Sequence, residues 1–451
     1  MKRKLISMTV LATMLVSLVG GCGKVSPVKS DSGANENNEA SAKEKDSSSA
    51  NEKIVLRFSW WGGDERNEAT LKVIDQFEAL HENVTIEAEY GGNDGYHDKL
   101  ATQLASGTAP DIIQVDPEIF PKYIAIDDYF HNFLDYKVDV SGFDESYISL
   151  EINGRYNGKQ LGLPSGISGA GLLVNKELAD AVGIDFNQDY GWEDLIDMGK
   201  KVREYDDSMY LLCMNKEYIA NLIIFNYAKQ LAGTTLCDAT DIKLNITEAQ
   251  LEEVYTFVQR LYDEEVIPPA SYQTAYSGDN LQSDPNWISG KYVATYTYIS
   301  TMDVMAAANA SAQYYAGKLP SISGAQETGW ASNTPQVIAM TKGSKHPEMA
   351  AEFMNYFFNH PTAQETLGTT RSVPAVTKAR EICTEKGLLT DYTMEGANIA
   401  ASMGGTPNDK ISSTAEAKAI LFDATESIGY GMSDPAKAAA DTFKLLSGLV
   451  K

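Results

Sequence analysis

The hydrophobic pattern after residue 53 alternates between strand and helix periodicity. Residues 54–61 (IVLRFSWW) are rich in strand-forming side chains and end at two glycines, so they predict a strand. Apolar residues then recur at three-residue steps over 65–80, which predicts a helix. The same reasoning predicts a strand at 84–90, a helix at 96–105 and a strand at 111–115. This β-α-β-α-β order predicts an α/β protein with a mainly parallel sheet covered by helices.

Further along the chain, the spacing of the apolar residues matches a helix more often than a strand. Thr247 is placed to cap a helix whose apolar stripe runs through 251–261. The pattern predicts helices at 192–204, 247–264, 347–359, 415–428 and 435–449. We find no repeat with a period of about 20–50 residues, which argues against a repeat architecture.

The first residues of the chain form a different kind of pattern. Lys2, Arg3 and Lys4 precede an apolar run at 5–19, and small residues follow that run. This arrangement is typical of a secretory signal, because a transmembrane helix needs about 20 apolar residues. We therefore predict a signal peptide over residues 1–21.

The segment at 18–22 (LVGGC) resembles a bacterial lipobox. The resemblance implies cleavage before Cys22 and attachment of lipid to its thiol, and an ordinary signal followed by an unrelated cysteine is the alternative. Residues 22–53 are mostly Ser, Asn, Glu, Lys and Ala, which bury too little apolar surface to offset the entropy of ordering. We expect a flexible lipidated tether with a root-mean-square reach of about 30 Å.

Composition places the rest of the chain among soluble globular proteins. Of the 451 residues, 43% are hydrophobic and 22% are charged, and the formal net charge is −25. The roughly 400 residues after the tether predict two domains. The strong negative charge argues against nucleic acid as a partner, and only weakly against anionic ligands, because a local site can oppose the overall sign.

The cysteines and histidines indicate neither a disulfide framework nor a metal site. Lipidation of Cys22 leaves Cys213, Cys237 and Cys383, which form no disulfide framework for a chain of this size. Buried thiols are one interpretation, and a bond between Cys213 and Cys237 is the other. The five histidines lie scattered without the spacing of a metal motif, so we expect no metal and no cofactor.

Several short segments, taken in order, are similar to one family. They are 104–113 (LASGTAPDII), 156–164 (YNGKQLGLP), 173–176 (LVNK), 191–195 (GWEDL), 287–291 (WISGK), 318–320 (KLP) and 371–375 (RSVPA). Together with the lipobox, they resemble the extracellular solute-binding proteins of ABC transporters. The resemblance is to the large sugar-binding group that includes the maltose-binding protein.

The resemblance implies a two-lobed periplasmic-binding-protein-like α/β fold with a hinge and a ligand cleft between the lobes. It places residues 54–165 and 313–363 in lobe 1, and residues 166–312 and 364–451 in lobe 2. The first crossing is expected at 165–170, where glycines suit a segment that must flex. A phosphate-binding loop is the alternative for these glycines, but the G-x-G-x-x-G and P-loop spacings are missing.

The resemblance also implies a binding receptor rather than an enzyme. We expect a monomer that binds an oligosaccharide and delivers it to the permease subunits of an ABC importer. It would be held by its lipid on the outer face of the cell membrane or lie in the periplasm. The alternatives are a receptor for a non-sugar solute and a secreted glycosidase with paired carboxylates. No motif places such a pair, and a Gly-x-Ser-x-Gly nucleophile elbow is missing from the sequence.

Sugars offer apolar C–H faces that stack on aromatic rings, and hydroxyls that need charged or amide partners. Parallel α/β sheets place such groups on the loops at the carboxyl ends of strands. On the first loop, strand alternation gives Trp60 to the core and Trp61 to the ligand. The candidate ligand-binding residues on the first three loops are Trp61, Asp64, Arg66, Tyr90, Asp94, Tyr96 and Asp116.

Further candidates lie in the crossing segment and in the second lobe. The crossing offers Ser168, and family position adds Tyr218, Tyr296, Tyr298, Trp330 and Arg371. Tyr296 and Tyr298 lie two residues apart on one strand, so both are expected to reach the cleft or neither. Core packing or a plain surface position is the alternative for each of these residues. Several aromatic platforms favour a di- or trisaccharide, and the identity of the sugar stays open.

Overall fold

The computed structural model describes residues 53–238, 243–278 and 280–450. The predicted signal peptide, Cys22 and the predicted tether up to residue 52 lie outside the described residues. Within the described ranges, no helix combines the length and the apolar character that crossing a bilayer requires.

The described chain contains fifteen strands. They are β1 (Ile54–Trp61), β2 (Val84–Gly91), β3 (Ile112–Val115), β4 (Arg155–Tyr156), β5 (Lys159–Gln160), β6 (Leu163–Pro164), β7 (Gly166–Asn175), β8 (Tyr210–Leu212), β9 (Cys237–Asp238), β10 (Lys243–Leu244), β11 (Tyr292–Tyr298), β12 (Tyr314–Gly317), β13 (Ser332–Asn333), β14 (Val337–Met340) and β15 (Val373–Pro374).

Eighteen α-helices accompany these strands in the described ranges. They are α1 (Asp64–Leu80), α2 (Tyr96–Ser106), α3 (Phe120–Ile126), α4 (Glu145–Ile148), α5 (Lys176–Val182), α6 (Trp192–Tyr205), α7 (Lys216–Tyr218), α8 (Phe225–Ala232), α9 (Glu248–Asp263), α10 (Ala270–Gln273), α11 (Pro285–Ile288), α12 (Met302–Ala308), α13 (Pro347–Asn359), α14 (Pro361–Leu367), α15 (Thr377–Glu385), α16 (Asp391–Met403), α17 (Ala415–Gly429) and α18 (Pro435–Leu449). Short 3-10 turns lie at Phe133–Tyr136, Glu151–Asn153, Thr274–Tyr276, Leu281–Ser283 and Ile299–Thr301, and a π-helical segment at Ile219–Ile224 joins α7 to α8.

The first sheet has the strand order β2-β1-β3-β14-β6. Strand β1 pairs in parallel with β2 and β3, whereas β14 pairs antiparallel with β3 and β6. The predicted β-α-β-α-β unit is confirmed, with bounds within one residue of those expected. The prediction of a mainly parallel sheet holds for these three strands only. Strands β6 and β14 come from segments where the chain changes sheets, not from βαβ units, so nothing forces them to be parallel.

The second sheet has the strand order β12-β7-β11-β8, and β13 and β15 pair with the first residues of β7. All of these pairings are antiparallel except that of β11 with β8, which again departs from the predicted parallel arrangement. Each sheet has its own apolar core: Phe58 and Ile86 lie in that of the first, Leu172 and Trp192 in that of the second. The molecule is therefore an α/β protein with two lobes.

The chain passes from the first sheet to the second at Ser165, between β6 and β7, where the first crossing was expected. The predicted return at residue 313 is wrong. Strand β12 pairs with β7 in the second sheet, and β13 does so too, before β14 enters the first sheet at Val337. The place of this return is fixed by pairing between strands that lie far apart in the sequence. No pattern in the residues near 313 could therefore indicate it.

The predicted change of lobe at residue 364 is also wrong. Ala379 and Cys383, on α15, pack in the same apolar core as Phe58 and Phe77 of the first lobe. The chain reaches the second lobe again at α16, which packs along β7 and β12.

The helices predicted from periodicity are confirmed with bounds within one residue. Thr247 caps α9 as expected: its Oγ1 accepts from the backbone N–H of Gln250 at 3.2 Å, and Gln250 Oε1 accepts from the backbone N–H of Thr247 at 2.9 Å. Cys213, Cys237 and Cys383 are free and buried, so the bond that the sequence left open is not formed.

Candidate functional site

The carboxyl ends of β1, β2 and β3 lie side by side in the first lobe. Trp61, the last residue of β1, pairs with Gly91 at the end of β2, and Asp116 directly follows β3. The assignment of Trp60 to the core is confirmed, because it is fully buried and its indole N–H donates to Asn67 Oδ1 at 2.9 Å. Trp61 is only partly buried, so part of this side chain meets solvent at the strand end.

Three rings pack together at this edge, and we call Trp61, Tyr96 and His97 the first-lobe aromatic group. Their centroids lie 5.0–5.2 Å apart. The Tyr96 hydroxyl lies 2.9 Å from the carbonyl oxygen of Gln114 and 3.1 Å from that of Ser59, to which it donates. Burial raises the pKa of this hydroxyl. Tyr96, predicted to bind ligand, thus uses its polar end to tie α2 to the sheet beneath Trp61.

Tyr90 is the most exposed aromatic residue among the candidates, with 49% of its surface accessible. One face of its ring stacks on Trp60 at 5.1 Å and an interplanar angle of 17°. Asp94 is exposed in the loop before α2, and Asp64 is exposed as the first residue of α1. Asp64 lies in the first turn of α1, where the helix dipole favours a negative charge.

Arg66 supports the backbone of Trp61 from below. Its Nη1 donates to the carbonyl of Trp61 at 3.1 Å, and its Nε donates to the carbonyl of Thr370 at 3.1 Å. Burial lowers the pKa of its guanidinium. Arg66 was predicted to bind ligand; the structure places two of its donors on the backbone carbonyls of Trp61 and Thr370, and ligand binding by Arg66 stays a prediction.

Arg371 lies deeper, with 4% of its surface exposed. It donates from Nη1 to the side-chain oxygen of Gln114 and from Nη2 to Thr70 Oγ1 at 2.9 Å. Burial, and then the nearby charge of Arg66, lower the pKa of Arg371 to about 9. Arg371 was predicted to contact ligand, and the structure places it instead in the framework behind the first-lobe aromatic group.

Asp116 and Ser168 are both partly buried. Asp116 Oδ1 accepts from the backbone N–H of Glu118 at 2.8 Å, which leaves its second oxygen without a hydrogen bond among the described residues. Ser168 lies in β7 opposite Asn333 of β13, just beyond the first crossing.

Two of the second-lobe candidates come together. The rings of Tyr218 and Tyr298 have centroids 5.9 Å apart, and Tyr298 is partly exposed at the end of β11. Tyr218 is 6% exposed, and its backbone N–H donates to Asn215 Oδ1 at 2.9 Å. The π-helical segment at Ile219–Ile224 follows directly, a geometry found frequently at functional sites.

Tyr296 and Trp330 lie in the core of the second lobe, against the prediction that they are open platforms. They are 0% and 2% exposed. The hydroxyls of Tyr296 and Tyr190 lie 2.9 Å apart, and the indole N–H of Trp330 donates to the carbonyl of Pro320 at 2.8 Å. The expectation that Tyr296 and Tyr298 behave alike fails, because Tyr298 is the last residue of β11 and emerges where the sheet ends.

Two residues near Trp61 were missed by the sequence reasoning. Gln114 is fully buried in β3, and its Nε2 donates to the carbonyl of Trp61 at 3.1 Å. His97 belongs to the first-lobe aromatic group and directly follows the predicted residue Tyr96, which is the signal that was available. A polar Gln inside an apolar strand was the corresponding signal for Gln114.

The crossing at β7 packs closely against the segment that contains Arg371. A Cβ atom on Gly166 would lie 2.6 Å from the carbonyl oxygen of Arg371, so only glycine fits there. Ser372 adopts a positive φ of 85°, and its Oγ donates to the carbonyl of Ile167 at 3.1 Å. The Tyr147 hydroxyl donates to the Gly166 carbonyl at 2.6 Å. The first crossing is therefore in direct contact with the segment 371–374.

These features define a class. Two α/β lobes, joined by crossing segments, carry aromatic and charged side chains at strand ends beside the first crossing, which is the architecture of a two-lobed solute-binding protein. Among the residues that the structure describes, no group of three or more His, Cys, Asp or Glu side chains is placed to hold a metal ion.

Comparison with known proteins gives the family. The family model described as "Bacterial extracellular solute-binding protein" matches residues 72–393, and the chain belongs to this family.

Solved structures of similar proteins share the fold. An extracellular solute-binding protein of family 1 from Alicyclobacillus acidocaldarius has a TM-score of 0.78 at 22% identity, over 90% of this chain and 100% of that one. A periplasmic oligogalacturonide binding protein from Yersinia enterocolitica has a TM-score of 0.68 at 25% identity, over 88% of this chain and 100% of that one.

A curated relative is similar in part. An arabinooligosaccharide-binding protein from Halalkalibacterium halodurans is 22% identical over 216 residues, which are 44% of this chain and 46% of that protein. The chain therefore matches about half the length of this relative.

Proposed function

We propose that this protein is an exported receptor, anchored to the membrane through lipid on Cys22, that binds an oligosaccharide between its lobes and delivers it to an ABC importer. The observation that carries this proposal is the position of Trp61. Its partly exposed side chain ends β1, and the guanidinium of Arg66 holds its carbonyl. An indole at this place gives a sugar ring a face on which to stack.

The groups around Trp61 suit the hydroxyls of a stacked sugar. Asp64 and Asp94 are exposed, and Asp116 has a carboxylate oxygen without a hydrogen bond among the described residues. Carboxylates accept strongly from hydroxyls, since charge-assisted hydrogen bonds are stronger than neutral ones. In this arrangement the sugar ring stacks on Trp61, and its hydroxyls donate hydrogen bonds to the carboxylates. The exposed face of Tyr90 is available to a neighbouring sugar unit.

The names of two similar proteins support an oligosaccharide as the class of ligand. One binds arabinooligosaccharides and the other oligogalacturonides. Their identity to this chain is 22% and 25%, so the proposal names the class of ligand and leaves the sugar open.

Delivery follows from closure of the lobes around the ligand. Ser165, at the first crossing, donates from its N–H to the carbonyl of Gln336 at 3.0 Å and from its Oγ to Gln336 Oε1 at 2.9 Å, which holds two crossing segments together. A sugar that touches Trp61 in one lobe and Tyr298 in the other stabilises the closed state by its differential affinity. The importer then recognises the closed form.

Calorimetry with the purified protein tests the proposal. The ligands are arabino-oligosaccharides and oligogalacturonides of about two to four units, and the matched controls are free arabinose and galacturonate. We expect saturable binding of at least one oligosaccharide, weaker binding of its monosaccharide, and unchanged sugar on chromatography afterwards. No binding of any sugar, or recovery of shortened products, would contradict a receptor for oligosaccharides.

A further inference from the structure

His97 carries an imidazole whose polar atoms have no partner. Both ring nitrogens are buried from solvent, and neither has a hydrogen-bond partner among the described residues. Other histidines differ: His131 Nδ1 pairs with the Tyr136 hydroxyl at 2.9 Å, and His360 Nδ1 accepts from the backbone N–H of Thr362 at 3.3 Å. His131 Nε2 is also buried without a partner, so among the described histidines only His97 has both ring nitrogens buried and unpaired.

An imidazole in this state is costly to the ligand-free protein. A neutral ring carries one donor and one acceptor, and leaving either one buried and unpaired costs about 1–3 kcal/mol. Burial also lowers the pKa of His97, although the charges of Asp116 and Asp98 oppose this effect. The neutral ring is therefore the form present at neutral pH.

The position of His97 explains why such a cost is retained. Its ring meets Trp61 edge-on at 5.0 Å and Tyr96 edge-on at 5.2 Å, so it lies directly beside the proposed stacking platform. Its own carbonyl accepts from the Tyr123 hydroxyl at 3.1 Å, which ties this turn of α2 to α3. A buried polar group without a partner calls for an explanation, and a functional role is one of those that native proteins show.

We propose that His97 is a ligand-binding residue whose two ring nitrogens pair with sugar hydroxyls when a sugar ring stacks on Trp61. This inference rests on the proposed function. A neutral imidazole that donates from one nitrogen and accepts at the other suits a hydroxyl-bearing ligand. Because both nitrogens are shielded in the ligand-free state, binding includes a change of side-chain rotamer at His97 or Trp61 that uncovers them. A site built to pair with a hydroxyl discriminates strongly against the deoxy analogue, so His97 sets specificity.

Three variants test the inference in the full-length protein. His97→Leu removes both polar atoms, His97→Gln keeps one donor and one acceptor, and His131→Leu is the matched control at the opposite end of β3. The melting temperature is measured without ligand. The affinity for arabino-oligosaccharides and oligogalacturonides is measured by calorimetry.

We expect His97→Leu to act in opposite directions on the ligand-free stability and on the affinity for sugar. The ligand-free melting temperature stays level or rises by about 2 °C, because unpaired buried groups are removed. The affinity for the bound sugar falls by about tenfold or more, because hydroxyl partners are lost. His97→Gln keeps most of the affinity, and His131→Leu lowers the melting temperature while leaving the affinity unchanged, since it removes the hydrogen bond to Tyr136.

Several results would contradict the proposal that His97 binds ligand. Unchanged affinity with a lower melting temperature in His97→Leu would make His97 a core residue. Equal loss of affinity in His97→Gln and His97→Leu would exclude hydroxyl pairing. If no sugar binds the unmodified protein, the proposed function fails on that result alone. Unchanged affinity in His97→Leu, while the unmodified protein binds sugar, would overturn the inference and leave the proposed function standing.

Discussion

The guanidinium of Arg371 donates a hydrogen bond from Nη1 to the side-chain oxygen of Gln114, a residue 257 positions away in the chain. The same Gln114 side chain donates from Nε2 to the carbonyl of Trp61 at 3.1 Å. One fully buried amide therefore connects the segment that precedes β15 to the backbone of the proposed stacking platform.

Removing the amide should destabilise the first lobe. In Gln114→Leu, the buried Arg371 Nη1 loses its acceptor, and the Trp61 carbonyl loses one donor but keeps the one on Arg66. A hydrogen bond to a charged group contributes about 1.5–3 kcal/mol, so we expect the free energy of unfolding to fall by about 2–3 kcal/mol in urea titrations. Gln188→Leu, at an exposed position, should change it by less than about 0.5 kcal/mol. A fall no larger than that of the control would contradict the connection.

Trp61 and Trp60 should respond to truncation in opposite ways. A buried aromatic anchor contributes about 2 kcal/mol or more to binding, so Trp61→Ala should weaken the sugar about thirtyfold or more and leave the ligand-free melt nearly unchanged. Trp60 is fully buried, so Trp60→Ala should cost about 3–5 kcal/mol of stability. Calorimetry with the sugar that binds, and melts without it, make the comparison. A collapsed melt for Trp61→Ala, or full affinity, would return Trp61 to the core.

The sequence correctly predicted the features that depend on residues close together in the chain. The apolar stripes of α1, α9 and α13 and the capping box at Thr247 depend on residues within a few positions, and their bounds are confirmed within one residue. The division between Trp60 and Trp61 followed from strand alternation alone. The family resemblance, carried by short segments along the chain, supplied the two-lobed fold.

Distant contacts explain the failures. Trp330 is buried because Trp192 and Tyr296 stack near it, with centroids 5.8 and 6.0 Å away, and no pattern around residue 330 shows those neighbours. Arg371 was chosen as a ligand contact by family position, and no pattern near it shows that its acceptor is Gln114, 257 residues away. The misplaced return to the first lobe at residue 313 has the same origin, since the pairing of β12 with β7 joins segments more than a hundred residues apart.

Closure should be visible in solution. The first crossing and the later one between β13 and β14 contact each other through Ser165 and Gln336, and a ligand that touches both lobes would favour the closed state. Small-angle scattering with a saturating oligosaccharide should show a smaller radius of gyration than the ligand-free protein, and the matching monosaccharide should change it less. Identical profiles with and without a bound oligosaccharide would contradict a hinge mechanism.

Anchoring should depend on a single thiol. Cys22 follows small residues and precedes a polar segment, so Cys22→Ser should release the protein from membranes into the medium or the periplasm. Cell fractionation and labelling with a radioactive fatty acid measure the two effects together. Cys237→Ser is the control, because that buried thiol should not affect partition. Unchanged membrane association of Cys22→Ser, or persistent label, would exclude lipidation at this residue.

Lys229 should give the protein a measurable pH dependence in mild alkali. It is 1% exposed, its Nζ donates to the carbonyl of Thr406 at 2.6 Å, and burial lowers its pKa to about 8 although the charges of Glu327 and Asp409 oppose this shift.

Below about pH 8 the native and unfolded states both keep the proton on Lys229, so it adds no slope there. Above that pH the native state releases the proton first, while the unfolded chain holds it up to the usual lysine value near 10.5. The unfolded state then binds more protons, so the free energy of unfolding should rise with pH. The rise should approach about 1–2 kcal/mol between about pH 8 and 9.5, a range that stays below the ordinary tyrosine pKa.

Urea titrations at several pH values measure this rise in the free energy of unfolding. Lys229→Met should lose this component and the exposed control Lys176→Met should keep it, whereas parallel profiles for the unmodified protein and Lys229→Met would show that Lys229 stays protonated throughout.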